Sequence, residues 1–86
     1  MANANEKPGY HIRPIARGTL GTISKIREEL EELEDAHDQG VVLMELVELS
    51  DLYGAMKLYV ESLGHSMDDL ARMSAVTERA FKNGRR

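Results

Sequence analysis

The sequence predicts an all-α fold of three helices. Two observations lead to this prediction: apolar residues recur every three or four positions in three segments, and glycine separates those segments. No segment shows the sustained apolar–polar alternation of a β-strand. With 86 residues the chain has room for one domain, and we divide it into an irregular arm at 1–18 and a single all-α domain at 19–86.

The first helix is expected over about 22–38, with Thr22 or Ser24 as its N-cap. Its apolar residues have the spacing of a single buried stripe: Ile23, Ile26, Leu30 and Leu33. Gly40 suits the left-handed position that follows a helix. His37 falls on the apolar stripe, and we interpret it as a core or interface histidine.

The second helix is expected over about 41–63 and the third over about 67–82. Ser66 and Asp69 have the spacing of a capping box at the start of the third helix. Apolar residues cover most of the circumference of the second helix, which predicts burial on nearly all sides. Three helices of this length cannot enclose one of their number. We therefore expect a second copy of the chain to cover the rest, in a homodimer or homotetramer of four-helix-bundle type.

Composition narrows the classes of function. The net charge of −4 argues against a general binder of nucleic-acid polymers. The absence of cysteine removes disulfides, thiolate metal sites and cysteine nucleophiles. No apolar run reaches about 18 residues and the N-terminus lacks a secretory pattern, so we expect no membrane partner and a cytoplasmic location.

Acidic residues concentrate on the first two helices, which carry ten of the 15 acids between residues 25 and 51. Glu48 and Asp51 are three residues apart and fall inside the apolar arc of the second helix, as does Glu45. Burying a carboxylate costs several kcal/mol unless a cation compensates it. The sequence therefore predicts a cation beside these acids, which is either a basic side chain or a metal ion.

The first helix supplies a matching pair of acids. Glu29 and Glu32 are also three residues apart, and an antiparallel hairpin around Gly40 lets this pair face the pair on the second helix. Four carboxylates on two helices suit Mg²⁺, or Mn²⁺, because these ions prefer oxygen ligands. The neighbouring acids of the first helix are expected to point further outward: Glu28, Glu31 and Asp35.

The two acidic pairs form part of a longer pattern. Glu28-Glu29-x-x-Glu32, fifteen residues, and then Glu48-x-x-Asp51 resembles the EExxE…ExxD signature of the all-α nucleoside triphosphate pyrophosphatases, and specifically of the MazG-like branch. The sequence around both halves is similar to the two motif helices of that family. The compact length is similar to that of short phage-encoded members.

The resemblance covers about residues 17–86 and implies an activity, a cofactor and an assembly. It implies cleavage of the α–β phosphoanhydride of a nucleoside triphosphate, which yields a nucleoside monophosphate and pyrophosphate. It also implies a homodimer or homotetramer and, for a phage-type member, the cytoplasm of the host. The Mg²⁺ ligands that it implies are Glu29, Glu32, Glu48 and Asp51.

Further roles follow from the chemistry of phosphoanhydride hydrolysis. A carboxylate near the metal is expected to accept a proton from the attacking water, with Glu28 as the first candidate and Glu45 as the second. Cationic side chains are expected to hold the outer phosphates. The candidates are Lys25, Arg79 and Lys82, with Arg17 and Arg85 behind them. The chain has no tryptophan, so a base pocket would use Tyr53, Tyr59, His37, the arm or a neighbouring subunit.

Two alternatives remain open. A phosphoribosyl-ATP pyrophosphohydrolase-like enzyme would apply the same chemistry to another nucleotide. A non-catalytic helical dimerisation or interaction module would instead pair acids of the second helix with bases of the third. Those pairs would join Glu45, Glu48 and Asp51 to Arg72, Arg79 or Lys82. Neutralising an acid would destabilise the module, whereas at an empty metal site it would relieve repulsion.

Overall fold

The computed structural model describes residues 10–84, which form three α-helices and, within that range, no strand. The all-α prediction is therefore confirmed for these residues. The first nine residues of the predicted arm, together with Arg85 and Arg86, lie outside the described residues. The helices are α1 (Ile23–Gln39), α2 (Val42–Ser62) and α3 (Met67–Lys82), and each boundary falls within one residue of its predicted position.

Local signals account for the helix ends. Gly40 follows α1 with a φ of 75°, a left-handed conformation that glycine adopts without steric cost. The short turn at Gly40 reverses the chain, so α1 and α2 run antiparallel. Ser66 and Asp69 form the predicted capping box at the start of α3, in which each side chain accepts a hydrogen bond from the backbone N–H of the other. Thr22 is the N-cap of α1, but its side chain makes no capping hydrogen bond.

The interior of the chain lies between α1 and α2. Helix α3 touches α2 at few positions and, within residues 10–84, it does not pack against α1. The buried apolar residues of the described chain are Ile15, Ala36, Ala55 and Val60. Large apolar side chains of α2 and α3 remain exposed. The single chain therefore leaves uncovered much of the apolar surface that a second copy is predicted to cover. No helix within residues 10–84 combines the length and the apolar character needed to cross a lipid bilayer.

The most deeply buried face of α1 is acidic, contrary to the expected apolar stripe. Ile23 and Leu30 are 53% and 47% exposed, whereas Glu28 and Asp35, expected to point outward, are 1% and 0% exposed. The placement of these two acids was therefore predicted wrongly. The cause is the segment before α1, residues 10–22, which covers this face. The Gly18 N–H, for example, donates a 2.7 Å hydrogen bond to Glu28 Oε1.

Two glycines of the chain have opposite steric requirements. A Cβ on Gly18 would lie 2.3 Å from the carbonyl oxygen of Ser24, whereas a Cβ on Gly54 would meet nothing within 4 Å. We expect Gly54→Ala to raise the free energy of unfolding by about 1 kcal/mol, because glycine disfavours a helix interior. Gly18→Ala should lower it by about 1–3 kcal/mol, because the added methyl group forces the backbone apart. Chemical denaturation followed by circular dichroism measures both, and a fully stable Gly18→Ala variant would contradict the close approach of this segment to α1.

Candidate metal centre

Four carboxylates converge at the interface of α1 and α2, and they are the four that the sequence pattern selects. Each offers one oxygen, and the four oxygens lie within 4.8 Å of one another. Two of the acids are one turn apart on α1 and two are one turn apart on α2, so each pair occupies one face of its helix. The antiparallel turn at Gly40 then brings the pairs together. We call Glu29, Glu32, Glu48 and Asp51 the acid cluster.

Three of the four acids of the cluster are buried in the protein, and the fourth leaves one edge of the cluster open to solvent. Glu29, Glu32 and Glu48 are buried, and Glu48 is only 1% exposed. Asp51 is exposed, which contradicts its predicted place inside a buried apolar arc. The reason is that its face of α2 opens onto a cleft instead of packing against another helix. A ligand could therefore reach the cluster from solvent at Asp51.

Lys25 and Tyr10 compensate part of the buried negative charge. Lys25 Nζ lies 3.1 Å from Glu28 Oε1 and 3.2 Å from Glu29 Oε1. The Tyr10 hydroxyl donates a hydrogen bond to Glu48 Oε1. Glu48 Oε2, however, is buried and has no hydrogen-bond partner among residues 10–84. Leaving such an oxygen unsatisfied costs about 1–3 kcal/mol or more for a charged group. A divalent ion would satisfy it, and the all-oxygen donor set fits Mg²⁺ or Mn²⁺.

A cleft of about 500 Å³ adjoins the acid cluster and is lined in part by two lysine side chains. Glu29 and Asp51 line it together with Lys25 and Lys57. Ammonium groups beside an acidic metal site suit the outer phosphates of a nucleotide. The sequence pattern selected Lys25 but not Lys57. The signal for Lys57 is its spacing, since Asp51, Gly54 and Lys57 recur every three residues along one side of α2.

Hydrogen bonds to Asp35 hold the segment before α1 against the helix hairpin of α1 and α2. Its carboxylate accepts hydrogen bonds from the backbone N–H groups of Ile12 at 3.1 Å and Arg13 at 2.9 Å, and from the Gln39 side chain at 2.7 Å. Burial raises the pKa of Asp35, but these hydrogen bonds and one from His11 outweigh it, so the pKa falls below its ordinary value. Asp35 is therefore an ionised acceptor near neutral pH.

The segment before α1 also places two further side chains against Glu48. The Tyr10 hydroxyl bonds to it, and this hydrogen bond, followed by burial and the surrounding negative charge, raises the pKa of the Tyr10 phenol. His11 Nε2 lies 3.5 Å from Glu48 Oε1 and 3.8 Å from Glu32 Oε2. Neither residue belongs to a periodic pattern, and neither was predicted as a site residue. The available signal was an aromatic residue and a histidine that are adjacent in the arm.

The two predicted proton acceptors lie in different places. Glu28 is buried beside the acid cluster, where Lys25 bridges it to Glu29. Glu45 pairs instead with His37, whose Nδ1 lies 2.8 Å from Glu45 Oε1. The His37 side chain is 74% exposed in the single chain, which excludes the predicted core placement, and the interface placement stays a prediction. Glu28 is thus linked to the acid cluster through Lys25, whereas Glu45 is paired with His37.

The predicted phosphate-binding residues also separate. Lys25 lines the cleft, whereas Arg79 and Lys82 lie on α3, and neither of them lines it. Lys82 pairs with Glu78 on the same helix, at 2.9 Å. Tyr53 lines an apolar pocket between α2 and α3 and not the cleft. Among the lysines and arginines of residues 10–84, those that line the cleft are Lys25 and Lys57.

Comparisons with protein-family models, with curated proteins and with solved structures find no match to this chain. The resemblance to the MazG-like family therefore stays a prediction from the sequence motif. The convergence of the acid cluster is a separate observation, because it depends on how α1 and α2 pack and not on the motif.

The pairing of His37 with Glu45 has a measurable consequence for titration. The hydrogen bond to Glu45, followed by its negative charge, raises the pKa of His37 above the ordinary 6.5. A raised pKa means that protonation of His37 stabilises the fold below pH 6.5, and that this contribution is lost as the pH rises through the folded-state pKa. We expect Glu45→Gln to return the pKa of His37 toward 6.5 in an NMR titration. Glu61→Gln, which removes an exposed acid elsewhere on α2, should leave it raised, and an unchanged pKa in Glu45→Gln would contradict the pairing.

Proposed function

We propose that the chain is a Mg²⁺-dependent nucleoside triphosphate pyrophosphohydrolase that cleaves the α–β phosphoanhydride of (d)NTPs to (d)NMP and pyrophosphate. The observation that carries the proposal is the acid cluster, in which four carboxylates from two helices converge beside a cleft with two lysines. The EExxE…ExxD spacing supports the same assignment. Mg²⁺, or Mn²⁺, would be held by the acid cluster and would neutralise phosphate charge and activate water as a nucleophile.

The position of each remaining residue indicates its role in binding the phosphates or in accepting a proton. Lys25 and Lys57 would hold the outer phosphates, since both line the cleft beside the acid cluster. Burial of three of the four carboxylates lowers the local dielectric and strengthens their attraction for a cation. Glu28, buried next to the cluster, would accept the proton of the attacking water. Asp51 stands at the open edge, where a nucleotide would enter.

A second copy of the chain is part of the proposal. The exposed large apolar residues of α2 and of its C-cap position are Val42, Leu43, Leu46, Val47, Leu49, Tyr53, Leu58 and Leu63. Soluble monomers rarely expose so extended an apolar surface, and such surfaces commonly mark interfaces. A homodimer or homotetramer of four-helix-bundle type would cover it and would enlarge a core that is small in the single chain.

The same apolar surface favours a non-catalytic interaction module as the second candidate. That candidate requires the acids of α2 to pair with bases of α3. Within residues 10–84 no ion pair of this kind occurs: Glu45 pairs with His37, and Glu48 contacts Tyr10 and His11. The absence of those pairs leaves the hydrolase better supported.

Pyrophosphate release tests the hydrolase. With Mg²⁺, the wild-type chain should release pyrophosphate from one or more of the eight common NTPs and dNTPs. Glu48→Gln and Asp51→Asn should abolish the release, because each removes a ligand charge from the acid cluster. Glu61→Gln, an exposed acid of the same helix, should retain it. Full activity in both cluster variants would contradict the site, and cleavage of phosphoribosyl-ATP alone would select the other enzyme.

Thermal unfolding separates the metal site from the interaction module. Without metal, Asp51→Asn should melt at or above the wild-type temperature, because it removes repulsion among carboxylates. Mg²⁺ at about 100 times its dissociation constant should stabilise the wild type by about 2.7 kcal/mol and the variant much less. A variant that melts well below the wild type, with no effect of Mg²⁺ on either, would instead support the module.

A further inference from the structure

The structure fixes the orientation of the His11 ring. Its side chain is 5% exposed, and its Nδ1 lies 3.3 Å from Asp35 Oδ1. The Asp35 carboxylate accepts hydrogen bonds from backbone N–H groups and is ionised, so it offers only acceptor atoms. Nδ1 must therefore carry the proton in this contact. In the neutral ring the lone pair is then on Nε2, at the opposite side of the imidazole.

Nε2 is the ring nitrogen that faces two carboxylates. His11 Nε2 lies 3.5 Å from Glu48 Oε1 and 3.8 Å from Glu32 Oε2. Both distances exceed the usual 2.7–3.2 Å of an N–H···O hydrogen bond. Adjacent ligand atoms around a tetrahedral ion with bonds of about 2.1 Å are roughly 3.4 Å apart. The separations of His11 Nε2 from the two carboxylate oxygens are thus approximately those between a metal's ligands, and one ligand atom from each of the three residues lies within 4.8 Å of the others.

A second feature also points to an ion at this position. The contact of Asp35 with His11 is the carboxylate–histidine pairing that commonly orients a metal-binding imidazole. Glu48 is 1% exposed, and the oxygen that lies near His11 Nε2 is Oε1, which also accepts the Tyr10 hydrogen bond. Its Oε2, which has no hydrogen-bond partner among residues 10–84, remains for the acid cluster, so that each position can use one oxygen of Glu48.

We propose that His11, Glu32 and Glu48 form a second metal position, which adjoins the acid cluster and shares Glu32 and Glu48 with it. One nitrogen and two carboxylate ligands suit a divalent transition ion such as Co²⁺ or Zn²⁺ better than Mg²⁺. The inference rests on the proposed function in that both positions share two ligands. The segment before α1 then has a chemical role, because it delivers the nitrogen ligand.

Imidazole ¹⁵N NMR of the wild-type chain during titration with Zn²⁺ tests the proposal directly. We expect Nε2 of His11 to shift to the coordinated range at low Zn²⁺, with Nδ1 still protonated. His37 and His65, whose side chains are both exposed, serve as internal controls and should not shift at that concentration. No shift of His11, or a parallel shift of all three histidines, would overturn the proposal.

Matched variants separate ligation from a structural role. Calorimetry should show that His11→Gln lowers the affinity for Co²⁺ by at least about tenfold and changes the affinity for Mg²⁺ little. His37→Gln should change neither. Equal losses for both ions, or no loss for Co²⁺, would overturn the proposal, and if His11→Gln does not fold the ¹⁵N titration of the wild type decides. Pyrophosphate release without a His11 shift would contradict the second metal position and leave the hydrolase proposal intact. A His11 shift without pyrophosphate release would contradict the hydrolase proposal and leave the second metal position intact.

Discussion

The burial of negative charge between α1 and α2 is the constraint on which the rest of the structure depends. Five acids are at most 3% exposed, namely Glu28, Glu29, Glu32, Asp35 and Glu48. Carboxylates removed from water need hydrogen bonds or counter-charges, since each otherwise costs several kcal/mol. The segment before α1 supplies many of these groups through its backbone N–H donors, Tyr10 and His11, and Lys25 in the first turn of α1 supplies a cation. The segment and the helix hairpin therefore stabilise one another.

The elements that sequence patterns predicted well are those that depend on local signals. A glycine after a helix and a capping box act within a few residues, which is why the helix ends fall within one residue of their predicted positions. The acid cluster was predictable for a related reason. Carboxylates three residues apart must share a helix face, and a short turn at Gly40 leaves the two helices little choice but to pack antiparallel.

What escaped prediction depends on contacts between distant parts of the chain. Tyr10 reaches Glu48 across 38 residues, and Asp35 is held by backbone groups 22 and 23 residues away. Apolar spacing along α1 ignores any segment that covers the opposite face, so it assigned Asp35 to the outside. Helical periodicity likewise does not say where α3 lies relative to the cleft, and Arg79 and Lys82, which were predicted to bind phosphate, do not line it.

Anomalous X-ray diffraction from crystals grown with Mn²⁺ would test most directly whether the buried acids exist to hold a divalent ion. We expect a peak bonded at about 2.1–2.2 Å to oxygens of Glu29, Glu32, Glu48 and Asp51, with the backbone of α1 and α2 unchanged. An acid cluster that shows no peak at saturating Mn²⁺, with its carboxylates turned toward protein donors, would contradict the central claim.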